Sequence, residues 1–206
     1  MAAAPFMSLQ RGGCRAREIP RLRHSARRAS PRINRAGVAT MRNVEAKFPL
    51  LDMAAARRRA EALGFEYIGT LIQHDTFFVV PHGKLKLREQ PDGAWLIHYR
   101  RDHEKGLELS SYEIVAVAEP FKFRVLLSAA LGVLAEVRKR RTLLRRANIR
   151  LHLDEVDNHG AFGELEAVLD EGEEPADCRS EISAILAGLQ IPSDQLIGVS
   201  YYELTR

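Results

Sequence analysis

The stretch Arg150-Leu151-His152-Leu153-Asp154-Glu155-Val156 is followed by Asn158-His159-Gly160 and then by Ala161-Phe162-Gly163-Glu164-Leu165-Glu166-Ala167. Successive side chains of a β-strand point to opposite faces. Arg150, His152 and Asp154 therefore share one face, with Leu151 and Leu153 on the other. Glu164 and Glu166 likewise lie opposite Leu165 and Ala167. With Asn-His-Gly as the turn, this is a hairpin with one charged and one apolar face.

The same period of two recurs along the chain. Asn43, Glu45 and Lys47 alternate with Val44, Ala46 and Phe48; Lys84, Lys86 and Arg88 alternate with Leu85 and Leu87; Lys139 and Arg141 form another pair. Two architectures satisfy this pattern. One is a sheet with a solvated polar face and an apolar face packed on helices. The other is a closed barrel, apolar outside under flanking helices and charged inside. Two features favour the barrel. Like charges are collected strand by strand, where they repel unless something compensates them, and strands outnumber helices. The pattern predicts strands over 42–48, 72–80, 84–89, 94–101, 110–117, 133–144, 147–156 and 161–169. It predicts helices over 53–63, 120–131 and 175–189, with Asp52 as the first N-cap and Gly64 ending that helix. The fold class expected is α+β, mostly β.

Charges inside a barrel are costly unless they are paired or bound to ions. A polyanion with divalent cations meets that need. Basic rows hold phosphate oxygens, and carboxylates hold Mg²⁺ or Mn²⁺, hard cations that share their shells with phosphates.

Composition is compatible with this. The 206 residues are 46% hydrophobic and 28% charged, as in an ordinary single domain. The longest apolar stretch, 125–134, falls well short of the roughly 18 residues of a membrane helix. The formal charge of +4 comes from the N-terminus. Residues 1–40 hold nine Arg and one acid, Glu18, leaving 22 basic and 26 acidic residues beyond them. The domain itself is therefore mildly acidic, which argues against a nucleic-acid partner.

Residues 1–40 are expected to be a disordered Arg-rich tail, with the domain spanning 41–206. Three readings of the tail stay open: a start at Met41, a transit peptide to an organelle, or a segment that touches RNA, phosphate or membrane by charge. Two distant cysteines, Cys14 and Cys178, imply no disulfide framework and suit a reducing, cytoplasmic setting. The oligomeric state is open between monomer and homodimer.

The residues resemble the CYTH family, the triphosphate tunnel enzymes that include class IV adenylate cyclases and thiamine triphosphatases. The family's opening ExExK motif appears as Asn43-Val44-Glu45-Ala46-Lys47. Gln73 to Phe78 with Gly83 to Glu89, Tyr99-Arg100-Arg101, and Val137-Arg138-Lys139-Arg140-Arg141 look like its successive segments. Arg150 to Val156 and Gly160 to Glu166 look like its closing RxHxDxV and GxFxExE motifs, and Ser200-Tyr201-Tyr202 resembles its ending. The resemblance implies an eight-stranded antiparallel tunnel. It implies that Glu45, Asp154, Glu164 and Glu166 bind Mg²⁺ or Mn²⁺, and that Lys47, Lys86, Arg88, Arg101, Lys139, Arg141 and Arg150 hold the triphosphate. Glu45, Lys47 and Glu166 are the catalytic candidates. Asn43 departs from the motif's first Glu and bears on whether one or two metals bind. The activity implied is hydrolysis of a nucleoside, thiamine or inorganic triphosphate, or cyclisation of ATP to cyclic AMP and pyrophosphate. The alternative is a non-catalytic polyphosphate- or nucleotide-binding module.

Among the other residues, His152 is read as a structural barrel histidine or a proton carrier, and Tyr112 as packing or as support for a phosphate-binding Arg. Trp95 is read as core or rim, and His98 and His103 as surface. Arg138, Arg140, Arg145 and Arg146 fall out of phase with the inward row or at a turn, so they are expected to be solvated.

Overall fold

Alternation of this kind closes a barrel when each strand finds two neighbours, and that is the arrangement found. The computed structural model of the chain describes residues 32–33, 39–102, 106–170 and 172–205. Its barrel strands are β2 (Ala39–Leu50), β3 (Glu66–Phe78), β4 (Lys84–Gln90), β5 (Gly93–Asp102), β6 (Glu108–Ala116), β7 (Val133–Arg146), β8 (Ile149–Val156) and β9 (Gly160–Val168). They run in the order β2-β6-β5-β4-β3-β7-β8-β9, and β9 pairs back onto β2. Every one of these pairings is antiparallel. Closure leaves no long edge to recruit another chain. A two-residue strand β1 (Arg32–Ile33) adds onto β2 at Ala39 and Thr40.

The helices are α1 (Met53–Ala62), α2 (Pro120–Leu131) and α3 (Pro175–Leu189). Asp52 caps α1 by accepting the Ala55 N–H at 2.8 Å. Gly64 then turns the chain out at φ +85°. Proline opens both α2 and α3, where a missing N–H costs nothing.

Several expected boundaries shift; β6, for one, begins at Glu108 instead of 110 and β3 ends at Phe78 instead of 80. β2 begins at Ala39, so the division drawn at residue 41 falls inside a strand. β3 starts at Glu66 instead of 72, with a register shift between Tyr67 and Gly69. The β7–β8 turn is Ala147-Asn148, with Ala147 at φ +52°, where alanine gives no sequence signal of a turn. Most of the expected tail, and His103, lie outside the described residues.

The core sits outside the barrel wall. Val44, Ala46 and Phe48 on β2, Leu151 and Leu153 on β8, and Leu165 and Ala167 on β9 pack against Ala56 and Ala60 of α1 and Ile182, Ile185 and Leu189 of α3. A smaller cluster under α2 joins Phe78, Leu87 and Ala94 with Leu127. Each fully buried leucine contributes about 1.5–3 kcal/mol. Arg146 differs from expectation. It donates to the Leu63 carbonyl at 3.1 Å and pairs with Glu181 at 3.1 Å, tying the end of α1 to α3. Arg138, Arg140 and Arg145 are exposed as expected.

Gly163 shows how closely this wall is packed. It pairs directly with Phe48 across β9 and β2, and a Cβ there would sit 2.1 Å from the Phe48 ring. Gly163→Ala is expected to destabilise the protein by about 1–3 kcal/mol through overpacking. Urea unfolding measures this, and an unchanged midpoint would contradict the packing described.

Candidate active site

With apolar side chains committed outward, the opposite set faces in and lines a cavity of about 420 Å³. The strand order sets the charges against each other. β4, β3 and β7 lie across the barrel from β9, β2 and β6. The first wall carries Lys86, Arg88, Lys139 and Arg141; the second carries Glu45, Glu108, Glu164 and Glu166.

Two buried carboxylates organise the basic wall. Arg88 grips Asp75 with two hydrogen bonds of 2.7 Å, and Lys86 and Lys139 stand 3.2 and 4.0 Å from the same carboxylate. Arg141 grips Asp154 at 2.7 and 2.6 Å, Lys139 is 3.6 Å away, and the Tyr201 hydroxyl donates to it at 2.8 Å. Such forks fix guanidinium orientation as well as charge. Burial works to raise the Asp75 carboxyl, but Arg88, Lys86 and Lys139 outweigh it and hold it well below the carboxylate range. Burial, with Arg141 adding to it, pulls Lys139 down to about 7; burial and Arg88 pull Lys86 down to about 8.

The acidic wall is a row in register. Glu45 on β2 stands directly opposite Glu166 on β9 and Glu108 on β6. Like charges so placed repel, and interleaved cations separate them. Arg101 reaches both Glu45 and Glu108, the latter at 3.3 Å. Arg150 pairs with Glu166 at 3.2 Å, and Lys47 with Glu164 at 3.2 Å. Burial raises the Glu45 carboxyl, and Glu164 and Glu166 add to that against the pull of Arg101 and Lys47. Asn43 donates to Glu166 at 2.5 Å, while its own carbonyl oxygen has no partner. Gln73, Arg101 and Ser110 also line the cavity and also keep a buried polar atom unpaired. Unpaired buried polar atoms are costly, and four of them around one cavity mark it as a place for a polar ligand.

Ten of the eleven residues singled out from the sequence line this cavity. Asp154 is the exception: it is 0% exposed, behind Arg141 and Tyr201. His152 is buried 3.3 Å from Glu164, and burial and Arg141 lower its pKa. Tyr112 lines the cavity beside Arg150 and helps to raise the pKa of that guanidinium, so it supports a basic side chain. His98 is half-buried between Glu113 and the His82 carbonyl. Sequence reasoning missed Asp75, Gln73 and Glu108. Gln73 and Asp75 share an inward phase within the strand already expected over 72–80, so the period of two was enough to find them; Glu108 is in phase with Ser110 but lies before the strand expected from 110.

The CYTH domain family model matches residues 41–201, which cover the barrel from Met41 onward. The chain belongs to the CYTH domain family. A Methanocaldococcus jannaschii protein provisionally named adenylate cyclase, MJ0240, is 26% identical over 173 residues, covering 80% of this chain and 98% of the relative. The CYTH barrel also superposes on solved structures. The PH1012 protein of Pyrococcus horikoshii gives a TM-score of 0.70 at 22% identity, covering 79% of this chain and 98% of that one. The Hippeastrum protein HpAC1, provisionally named adenylyl cyclase and described as having a dominant triphosphatase activity, gives 0.57 at 19% identity, covering 80% and 94%. At these identities the likeness to the two structures is one of fold.

Proposed function

We propose that this CYTH barrel is a divalent-metal-dependent enzyme that takes a triphosphate between its two walls and either hydrolyses it or, with ATP, cyclises it to cyclic AMP and pyrophosphate. The observation that carries the reading is the opposition of a basic wall to an in-register row of carboxylates across one cavity.

The donor set suits Mg²⁺ or Mn²⁺. Glu45, Glu164 and Glu166 are hard oxygen donors beside the unpartnered Asn43 carbonyl. Among the described residues, no three His, Cys, Asp or Glu side chains are gathered closely enough to hold a metal as they stand. Glu45 would have to let go of Arg101. Asp154 has its oxygens taken by Arg141, Lys139 and Tyr201, so we assign it to holding the basic wall. A bound divalent cation supplies neutralisation of the charge that builds on phosphate oxygens.

The chain's own groups do the rest. Arg88, Arg141, Lys86 and Lys139 are oriented before any phosphate arrives, which is the form that electrostatic stabilisation of phosphoryl transfer takes. Attack of water on the terminal phosphorus gives a phosphatase. Attack of a ribose 3′-hydroxyl on the innermost phosphorus gives a cyclase. Both use the same walls.

Titration calorimetry of the full chain with inorganic triphosphate tests the reading. Mg²⁺-enhanced binding is expected, and failure to bind with or without metal would sink it. Arg88→Ala is expected to raise KM about 10- to 100-fold, the loss of one charge-assisted hydrogen-bonding pair. An unchanged KM would remove Arg88 from the binding wall.

A further inference from the structure

The helix α2 is apolar all round. Its 12 residues read Pro-Phe-Lys-Phe-Arg-Val-Leu-Leu-Ser-Ala-Ala-Leu, with Lys122 and Arg124 as its charged side chains. A helix of that composition belongs in an interior, yet none of its residues is buried. The other two helices behave differently: α1 buries Ala56 and Ala60, and α3 buries Cys178, Ile182, Ile185, Leu186 and Leu189.

The inner side of α2 is accounted for. Leu127 packs on the cluster of Phe78 and Leu87, and Arg124 pairs with Glu89 of β4 at 3.0 Å. The outer side is not. At 3.6 residues per turn, Phe121, Val125 and Ala129 form one row and Lys122, Leu126 and Ala130 the next. All six are exposed, Phe121 and Leu126 each by 65%. Two valines continue the face past the end of the helix. The Val79 N–H donates to the Gly132 carbonyl at 3.2 Å, and Val79 and Val133 are both exposed. The apolar side chains of this face expose on the order of 500 Å², at the upper end for a monomer's surface, and two such faces together reach the roughly 1,000 Å² of a specific interface.

The face also indicates what covers it. Helices that lie on membranes carry free basic residues along their polar side. Here Lys122 pairs with Glu119 and Arg124 with Glu89, so no cationic margin is left for an anionic surface. The profile along the helix is graded, bulky at Phe121 and small at Ala129 and Ala130. An isologous contact joins one patch to itself with its direction reversed. Under a two-fold axis at Val125 and Leu126, Phe121 of one copy meets the small end of the other, and the reverse contact follows.

We propose that the outer face of α2, with Val79 and Val133, is a two-fold homodimer interface in which the α2 helices of two copies pack antiparallel. It lies on the outer side of β4, away from the tunnel, so both tunnels stay accessible.

Sedimentation velocity of the full chain tests this across roughly 1–100 μM, where a modest interface passes from monomer to dimer. The wild-type chain is expected to dimerise in that range. Leu126→Glu is expected to weaken the dimer about a hundredfold or more, because it sets two like charges near the axis of an apolar contact. Leu126→Met should dimerise like the wild type. Circular dichroism should show Leu126→Glu folded, since its side chain is mostly in solvent, and Phe121→Glu provides a second disruption at the other end of the contact. A wild-type chain that stays monomeric throughout would overturn the proposal. So would a dimer that survives both glutamate variants, which would place the contact elsewhere. A monomeric chain that co-sediments with phosphatidylcholine–phosphatidylserine vesicles would overturn it in favour of a membrane surface.

Discussion

Replacing Glu166 by glutamine is expected to lower turnover of a triphosphate at least about a hundredfold, the scale set by removing one oriented charge from a transition-state site. The substitution keeps the shape of the side chain and removes its charge. Glu166 sits in the middle of the site's electrostatics. It faces Glu45 across the β2–β9 ladder, pairs with Arg150 and accepts from Asn43. Folding should survive, because its partner Arg150 is 39% exposed and water replaces the lost contact at a cost of about 1 kcal/mol or less. Steady-state rates with a parallel melting curve separate the two effects. A variant that unfolds would show Glu166 to be structural, and one that folds and turns over normally would remove it from the catalytic site.

Arg141→Ala is expected to be the most destabilising single change in the interior, by about 3–5 kcal/mol, because it leaves a buried carboxylate short of its main counter-charge. Asp154 is 0% exposed, and after the change only Lys139 and Tyr201 remain beside it. Folded domains hold only about 5–15 kcal/mol in all, so the melting point should fall sharply. Arg141→Lys keeps the charge but not the two-pronged grip and should fall between. The double variant Arg141→Ala with Asp154→Asn should recover part of the loss, since it removes the stranded charge along with its partner. Chemical denaturation of the set checks this, and additive losses would mean that the pair is not coupled.

Much of this was legible in the sequence because a strand's period of two is indifferent to what lies around it. Lys84-Leu85-Lys86-Leu87-Arg88 and Glu164-Leu165-Glu166 assign their own faces. The inversion, apolar outside and charged inside, followed from charge segregation and the shortage of helices. Other features depend on contacts between distant segments. That Asp154 is shut behind Arg141 while Glu45 faces the cavity depends on how far each β-ladder is staggered and on where Tyr201 comes to rest. Tyr201 arrives on a short turn after an irregular segment, which has no periodicity to read. Glu108 was missed for a simpler reason. β6 begins two residues earlier than its β-branched and aromatic residues suggest, and a glutamate carries little β-propensity of its own.

The central claim is that opposed charged walls make this barrel a metal-dependent triphosphate enzyme. Product analysis of the full chain tests it most directly, with Mg²⁺ or Mn²⁺ and, in turn, ATP, thiamine triphosphate and inorganic triphosphate. The account predicts product from at least one of them, lost on chelation: orthophosphate from a triphosphatase, or pyrophosphate with cyclic AMP from a cyclase. No product with any metal, while a triphosphate still raises the melting temperature, would contradict it and leave a polyphosphate-binding module in its place.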